Sequence, residues 1–150
     1  MLSDESFMQL ALEQARLGGA RGEVPVGAVI VHQGKVVAAA HNCPIAQSDA
    51  TSHAEVLAIR AACGQLHAYR LVGAELFVTL EPCVMCLGAA INARLDRLVF
   101  GAWDERAGAA GSVYDIGRDG RLNHRIEIRG GILESECAEL MRVFFRQRRA

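Results

Sequence analysis

The chain has 150 residues, 51% of them hydrophobic, and a formal net charge of −1. This length predicts a single domain spanning residues 1–150, and no apolar run approaches the ~20 residues of a membrane helix. The balanced charge gives no global argument for nucleic-acid binding, so any RNA contact must come from a local patch. The five cysteines are an odd number, and no charged region followed by an apolar one opens the chain, which together predict a cytoplasmic protein with reduced thiols.

The first part of the chain is predicted to form a helix followed by a β-hairpin. Ser3 and the acidic residues after it begin an amphipathic helix, which the glycine pair beginning at Gly18 is expected to end. Two β-rich runs, 24–31 and 35–40, flank a Gln-Gly pair at 33–34 that suits a tight hairpin turn.

The middle of the chain alternates helices and strands. A second helix is predicted from Ser52 to about Cys63, and a buried strand at 75–80 leads into a third helix that the cysteine pair opens. A further strand follows at 97–100. This β-α-β succession implies parallel neighbours, whereas the hairpin is antiparallel, so we expect a mixed sheet covered by helices.

The last part is predicted to contain a long loop, a strand and a helix. Residues 101–120 are rich in Gly and Asp and should form a loop with a short helix near 112–116. A last strand is expected at 125–128, and a terminal helix at 134–148. The residues expected to pack this helix are Leu140, Met141, Phe144 and Phe145.

The most informative pattern is His53-Ala54-Glu55 followed by Pro82-Cys83-Val84-Met85-Cys86. One His and two Cys supply three zinc ligands and leave a fourth position for water or hydroxide, which is typical of a catalytic zinc. Zinc nucleobase deaminases carry this H-x-E…P-C-x-x-C signature, with the Glu as general acid and base. We therefore expect one Zn²⁺ per subunit on His53, Cys83 and Cys86, and Glu55 as the catalytic proton shuttle.

Each half of this pattern also has an ordinary explanation. Ser52 to Glu55 reads as a capping box, in which Glu55 would satisfy the backbone of a cap residue. A lone C-x-x-C is found in redox pairs, structural zinc sites and packed cores. The conjunction of the two halves, with a strand before Pro82, favours the catalytic zinc.

Residues outside the motif give weaker indications. Cys43, Cys63 and Cys137 have no partner at metal-ligand spacing and are interpreted as buried thiols. The carboxyl end interleaves arginines with Phe144 and Phe145, which is consistent either with RNA contact or with a solvated helix end. The arginines are Arg142, Arg146, Arg148 and Arg149.

Beyond the zinc motif, the chain resembles the bacterial tRNA-specific adenosine deaminases of the cytidine/deoxycytidylate deaminase superfamily along nearly its whole length. The resembling segments are 23–29, 42 with 44–45, 51–55, 69–71, 78–86, 99–102, 108–112, 123–125 and 144–146 with 148–149. The resemblance implies an α/β, three-layer cytidine-deaminase-like fold with a central mixed five-stranded sheet and helices on both faces. It also implies a homodimer that converts the wobble adenosine of a tRNA anticodon stem-loop to inosine.

Substrate contacts follow from the resemblance alone. Asn42 would hold the flipped base or its ribose, Asp104 would contact the RNA backbone, and Phe145 with Arg146 would touch the anticodon loop. The chain departs from the family pattern at Cys43, Ala50 and Trp103, and these departures bear on the anticodon contacts. Two alternatives stay open: a deaminase of a free nucleobase or nucleoside, and a non-catalytic zinc-containing RNA-binding subunit.

Overall fold

The computed structural model describes residues 2–149 and places five strands in one sheet with α-helices on both faces. In chain order the elements are α1 (Asp4–Ala20), β1 (Gly27–His32), β2 (Lys35–His41), α2 (Pro44–Gln47), α3 (Ala54–Leu66), β3 (Ala74–Leu80), α4 (Val84–Asn92), β4 (Arg97–Ala102), β5 (Glu127–Arg129) and α5 (Glu134–Arg149). The predicted α/β class with a mixed five-stranded sheet is confirmed.

The strand order is β2-β1-β3-β4-β5. β1 pairs antiparallel with β2 and β3, whereas β3, β4 and β5 are parallel. Because β3 and β4 are parallel neighbours, with Leu80 opposite Ala102, their carboxyl ends lie side by side. The segments that leave these two strands therefore start from the same edge of the sheet, which is where α/β folds place their ligand sites.

Each face of the sheet has its own core. Alternate strand residues point to opposite faces, so Ile30, Leu76 and Phe100 pack with α3 and α4, while Val29 and Phe77 pack with α1 and α5. Central strands that are covered on both sides must be apolar on both sides. The result is the expected arrangement of helices, sheet and helices in three layers.

Two glycines fix the hairpin and its contact with α1. A Cβ at Gly27 would lie 2.0 Å from the carbonyl oxygen of Ala11, so only glycine lets α1 pack this closely on β1. In the turn, Gln33 and Gly34 have φ values of 52° and 76°, and positive values at both positions are those of a type I′ turn. The predicted hairpin is confirmed.

The predicted end of α1 at the glycine pair is wrong. The helix continues through the glycine pair to Ala20, and the chain turns at Gly22, whose φ is +86°. Gly18 lies within the helix at the point where α1 crosses His41, and a Cβ there would come within 2.9 Å of the imidazole ring. The first glycine therefore serves close packing and not helix termination.

The long loop also differs from the prediction. No helix forms at 112–116; a single 3-10 turn lies at Ile116–Arg118 instead. The N–H groups of Val113 and Tyr114 both donate to the carbonyl of Gly108, at 3.0 and 3.1 Å, and that of Ile116 donates to the carbonyl of Ala109 at 3.0 Å, so the segment bonds to the preceding loop and not to itself. The short helix α2, which precedes the second predicted helix, was not predicted. Among residues 2–149, no helix is long and apolar enough to cross a bilayer.

Candidate metal centre and active site

Two helix starts bring the three predicted ligands together. His53 is the N-cap residue of α3, Cys83 is that of α4, and Cys86 lies in the first turn of α4. Neither cap residue uses its side chain to cap its helix, so the imidazole and the thiol remain available for a metal. The Nδ1 atom of His53 lies 3.6 Å from Sγ of Cys83 and 3.5 Å from Sγ of Cys86.

These distances fit zinc. Tetrahedral bonds of about 2.3 Å to sulfur and about 2.05 Å to nitrogen place an S and an N ligand about 3.6 Å apart. The ligand atoms of His53, Cys83 and Cys86 all lie within 4.8 Å of one another, and within residues 2–149 no fourth side chain joins this group. A nitrogen and two sulfurs with one open position are the donor set of a catalytic zinc site. We call these three residues the metal centre.

The two thiols of the metal centre are unequal. Hydrogen bonding from Cys86 is the largest influence on Cys83 and lowers the pKa of its thiol to about 5, whereas the same contact raises the pKa of Cys86. Both residues lie at a helix start, where the positive end of the helix dipole favours a thiolate. Cys83 is therefore the thiol of the pair that ionises more readily.

Glu55 lies beside this cluster, in the first turn of α3, and is only 4% exposed. Burial raises the pKa of its carboxyl from 4.5 to about 7, and the proximity of Cys83 acts in the same direction. A general acid and base works best with a pKa near the operating pH. The geometry thus gives Glu55 the protonation behaviour that a proton shuttle needs.

The capping-box explanation of Glu55 is wrong, as is the prediction that Ser52 caps the second helix. His53 is the N-cap, the N–H of Ser52 donates to the carbonyl of Asp49, and its hydroxyl donates to Oε1 of Gln47. Ser52 is thus turned towards the preceding segment, and its backbone has no need of Glu55. The carboxylate is left to face the metal centre.

Asn42 precedes the metal centre in the fold, and the oxygen of its side-chain amide is already hydrogen-bonded. Its Oδ1 atom accepts a hydrogen bond of 2.7 Å from the N–H of Ala54, which satisfies one of the free donors at the start of α3. Its Nδ2 donates to no acceptor among the described residues, and no buried side-chain nitrogen or oxygen among them lacks a partner. Nδ2 therefore faces a space that solvent or a ligand can reach.

The other cysteines have ordinary surroundings. Cys137 is buried as predicted, but Cys43 and Cys63 are only half-buried, so the prediction of three buried thiols is wrong for those two. The Cys43 thiol donates to the carbonyl of His41 at 3.3 Å, and burial raises its pKa.

Asp104 opens the loop that follows β4. Its Oδ1 accepts hydrogen bonds from the N–H groups of Arg106 and Ala107, at 3.0 and 3.3 Å. Loop residues 103–107 form one wall of a cleft of about 740 Å³, and the α5 side chains of Glu134, Met141 and Phe145 contribute to the other. Asp104 and Phe145, which the sequence places 41 positions apart, are thereby brought to one cleft.

The last turns of α5 present Phe145 and Arg146 to solvent. Phe145 is 41% exposed, so the prediction that it packs the helix is wrong, whereas Leu140, Met141 and Phe144 are half-buried. Phe144 packs edge-on against Phe145, with ring centroids 5.3 Å apart, and this contact restricts the position of the Phe145 ring.

Arg148 has a structural contact. Its guanidinium donates to the carbonyl of Gly22 at 2.6 Å and lies over the Phe144 ring, which ties the end of α5 to the segment after α1. The side chain of Arg149 lies outside the described residues. Arg142 and Arg146 are both exposed and line one shallow pocket with Phe145, but Arg142 pairs with Glu139, one turn earlier on α5.

Sequence reasoning missed one buried acid near the metal centre. Glu81, between β3 and Pro82, is 2% exposed and accepts hydrogen bonds from the loop after β4. Its only signal in the sequence is a charged residue between an apolar strand and the Pro-Cys pair.

Comparison with known proteins supports the metal centre. Residues 1–102 match the family model for the cytidine and deoxycytidylate deaminase zinc-binding region, and this range contains all three ligands and Glu55. The chain is 42% identical over 149 residues to a tRNA-specific adenosine deaminase of Bacillus subtilis (strain 168), covering 99% of this chain and 92% of the relative.

Two solved structures extend the similarity to the fold. One comes from a study of A-to-I editing by tRNA:A34 deaminases at the wobble position of transfer RNA; its TM-score is 0.87 at 46% identity, covering 89% of this chain and 97% of that chain. The other is guanine deaminase from Nitrosomonas europaea, with a TM-score of 0.82 at 27% identity, covering 96% and 85%. The same scaffold is thus used both for a tRNA and for a free base.

Proposed function

The chain belongs to the cytidine and deoxycytidylate deaminase zinc-binding family, and from this premise we propose that it deaminates adenosine to inosine at the wobble position of a tRNA anticodon. The reaction consumes one water and releases one ammonia. The observation that carries the proposal is a three-ligand zinc site with a buried, non-coordinating Glu55 beside it, in a chain that matches tRNA-specific adenosine deaminases over nearly its whole length.

The chemistry assigns Glu55 the proton transfers. His53, Cys83 and Cys86 would hold the zinc ion, which would supply Lewis-acid activation of the water that attacks C6 of adenine. Glu55 takes a proton from that water and returns protons to the ring nitrogen and to the departing amine. Because its pKa is about 7, the carboxyl can both accept and release a proton near neutral pH.

Asn42 is proposed to hold the target nucleoside. Its Oδ1 is fixed on the N–H of Ala54, next to the ligand His53, so its Nδ2 is presented at a constant distance from the metal centre. An amide N–H₂ donates hydrogen bonds, and the acceptors on adenosine are its ring nitrogens and ribose oxygens. Asn42 therefore orients the base or its ribose with respect to Glu55.

Asp104, Phe145 and Arg146 are proposed to contact the rest of the anticodon loop, and we call them the RNA-facing surface. A carboxylate accepts hydrogen bonds only, so Asp104 would meet the 2′-hydroxyl groups, which are the donors of an RNA backbone. The exposed Phe145 ring offers a stacking surface for an unpaired base, and Arg146 offers a phosphate contact. A single-stranded loop suits this arrangement because its bases are cheap to extrude.

Assembly and location remain proposals as well. The resemblance implies a homodimer, which light scattering on the purified protein would test. A tRNA substrate and thiol ligands that must stay reduced both support a cytoplasmic location.

A second candidate is deamination of a free nucleobase, because guanine deaminase from Nitrosomonas europaea shares the fold and the zinc-family scaffold. The non-catalytic alternative is less well supported, because Glu55 forms no capping box with Ser52 and a structural zinc site has no use for a carboxylate in that position.

The test is nucleoside analysis by mass spectrometry of a tRNA with adenosine at the wobble position, after incubation with zinc-loaded protein. Free adenosine, cytidine and guanine are assayed in parallel, and the Glu55→Ala protein is the control. Inosine from the tRNA alone supports the proposal. Ammonia released from a free base while the tRNA stays unchanged supports the second candidate, and zinc binding without any turnover supports the non-catalytic alternative.

A further inference from the structure

A second buried carboxylate adjoins the metal centre and has no part in the proposed chemistry. Glu81 accepts four hydrogen bonds from the loop after β4. The N–H of Asp104 and the hydroxyl of Ser112 donate to Oε1, at 3.0 and 2.5 Å. The N–H groups of Ala110 and Ser112 donate to Oε2, each at 3.0 Å. One side chain thus binds both ends of a nine-residue loop, residues 104–112.

The loop is shaped around this carboxylate. A Cβ at Gly108 would lie 2.3 Å from Cδ of Glu81, so the loop can close over the carboxylate only with glycine at that position. The N–H of Ala109 donates to the carbonyl of Pro82 at 2.8 Å. The loop is therefore built directly on residues 81–82, which immediately precede the metal ligand Cys83.

The position of Asp104 depends on this contact. Its N–H is held by Glu81, and its side chain is in turn held by the N–H groups of Arg106 and Ala107. If one of the two Glu81 oxygens were replaced by a donor, the loop N–H groups that bind it would lose their acceptor, and the loop would have to shift to reach others. The side chain of Asp104 would then move with respect to the metal centre.

Glu23 provides a matched comparison. It is also 2% exposed, and it accepts backbone hydrogen bonds from Ile45 and Ala46 at 3.2 and 2.8 Å, at the start of α2. It therefore binds the segment that follows Asn42 and makes no hydrogen bond with the Asp104 loop. A substitution at Glu23 therefore removes similar hydrogen bonds from a buried carboxylate and leaves those of the Asp104 loop in place.

We propose that Glu81 is a positioning residue for RNA binding, which fixes the distance between the metal ligand Cys83 and the side chain of Asp104. The inference rests on the proposed function, because it needs an RNA whose target base lies at the metal centre while its backbone meets Asp104. Glu81 does not touch the RNA; it acts through Asp104.

The test is a double-mutant cycle on an anticodon stem-loop RNA, with kcat, KM and zinc content measured for each protein. Glu81→Gln keeps the shape of the side chain but turns an N–H₂ towards N–H donors. We expect it to keep its zinc and most of its kcat, and to raise KM about tenfold. In the Asp104→Ala background the same change should raise KM less than about twofold, because nothing is left to position.

Glu23→Gln is the control. Any factor by which it raises KM should be the same with Asp104 present and in the Asp104→Ala background. If Glu81→Gln fails to fold, Ser112→Ala replaces it, because it removes one hydrogen bond from an exposed residue. It should raise KM about threefold with Asp104 present and not measurably without it.

The inference would be overturned if Glu81→Gln or Ser112→Ala raised KM by the same factor with Asp104 present and with Asp104 replaced by alanine. It would also be overturned if KM were unchanged in either variant or in Asp104→Ala itself. A wild-type protein that makes no inosine contradicts the proposed function instead, so the two failures are distinguishable.

Discussion

The metal centre and the RNA-facing surface are built in opposite ways. His53, Cys83 and Cys86 come from the starts of two helices, and their ligand atoms converge within 4.8 Å inside one chain. Asp104 and Phe145 come from a loop and a terminal helix, and both leave side chains open to a shared cleft. The first region forms within the chain, whereas we expect the second to be completed only by a bound RNA. Changes in the first should therefore act on metal binding and kcat, and changes in the second on KM.

The largest effect is expected from Cys83→Ala. Removing this thiolate leaves only two ligands, so we expect loss of stoichiometric zinc and of all measurable deamination. Zinc content by atomic spectroscopy and inosine formation are the measurements. Cys63→Ala, which removes a thiol outside the metal centre, should keep both. Retention of full zinc in Cys83→Ala would show that the ligand set is wrong.

Glu55→Gln should separate chemistry from metal binding within the same region. The amide has the size of the carboxyl but cannot shuttle a proton, so kcat should fall about 10²–10⁴-fold while zinc content and RNA affinity stay near the wild-type values. Single-turnover kinetics measure the rate of deamination, and RNA titration measures the affinity. A Glu55→Gln protein that loses zinc would make the residue a ligand instead.

Arg146→Ala should act on the other region alone. One phosphate contact is removed, so KM for the RNA should rise several-fold, and the dependence of log KM on log salt concentration should become less steep by about 1. The value of kcat should stay constant. Arg60→Ala removes an exposed arginine from α3 and should leave the salt dependence unchanged. An equal change in both variants would remove Arg146 from the RNA-facing surface.

The smallest effect is expected from Asp4→Asn, remote from both regions. Asp4 pairs with Arg97 at 2.6 Å and with Arg129 at 2.8 Å, and the Arg97 hydrogen bond lowers its pKa. Because the pKa of Asp4 is lower in the folded state, its ion pairs add their full stability at pH values above the unfolded pKa of about 3.9. That stability is lost as the pH falls through the lower pKa of the folded state. Asp4→Asn should thus cost about 1–2 kcal/mol at pH 7 and progressively less below about pH 4.

Denaturant titrations at several pH values measure this difference. The control is Asp115→Asn, whose pair with Arg118 is about half exposed and should be worth less than about 0.5 kcal/mol. Asp4→Asn should leave kcat and KM unchanged at pH 7; a change in either would connect this ion pair to one of the two regions.

The same contrast explains how much could be predicted from the sequence. The metal ligands were predictable because His-x-Glu and Pro-Cys-x-x-Cys are each recognised within a few neighbouring residues, and each lies at the start of a helix. The sheet followed from apolar runs and from the Gln-Gly turn at 33–34. These features depend on short stretches of chain.

What could not be predicted depends on distant contacts. Gly18 lies inside α1 where His41 packs against it, and residues 112–116 are not helical because their backbone bonds to the carbonyls of Gly108 and Ala109. The exposure of Phe145 likewise depends on its neighbours in the fold. Resemblance, and not local pattern, indicated Asp104, Phe145 and Arg146, and their roles in RNA binding stay predictions.

The most direct test of the account is deamination in oxygen-18 water of an anticodon stem-loop whose only adenosine is at the wobble position. Mass spectrometry of the digested RNA should show inosine that carries one oxygen-18 atom, formed by the wild-type protein and not by Glu55→Gln. Adenosine that stays unchanged under these conditions, with zinc bound at full occupancy, would contradict the account.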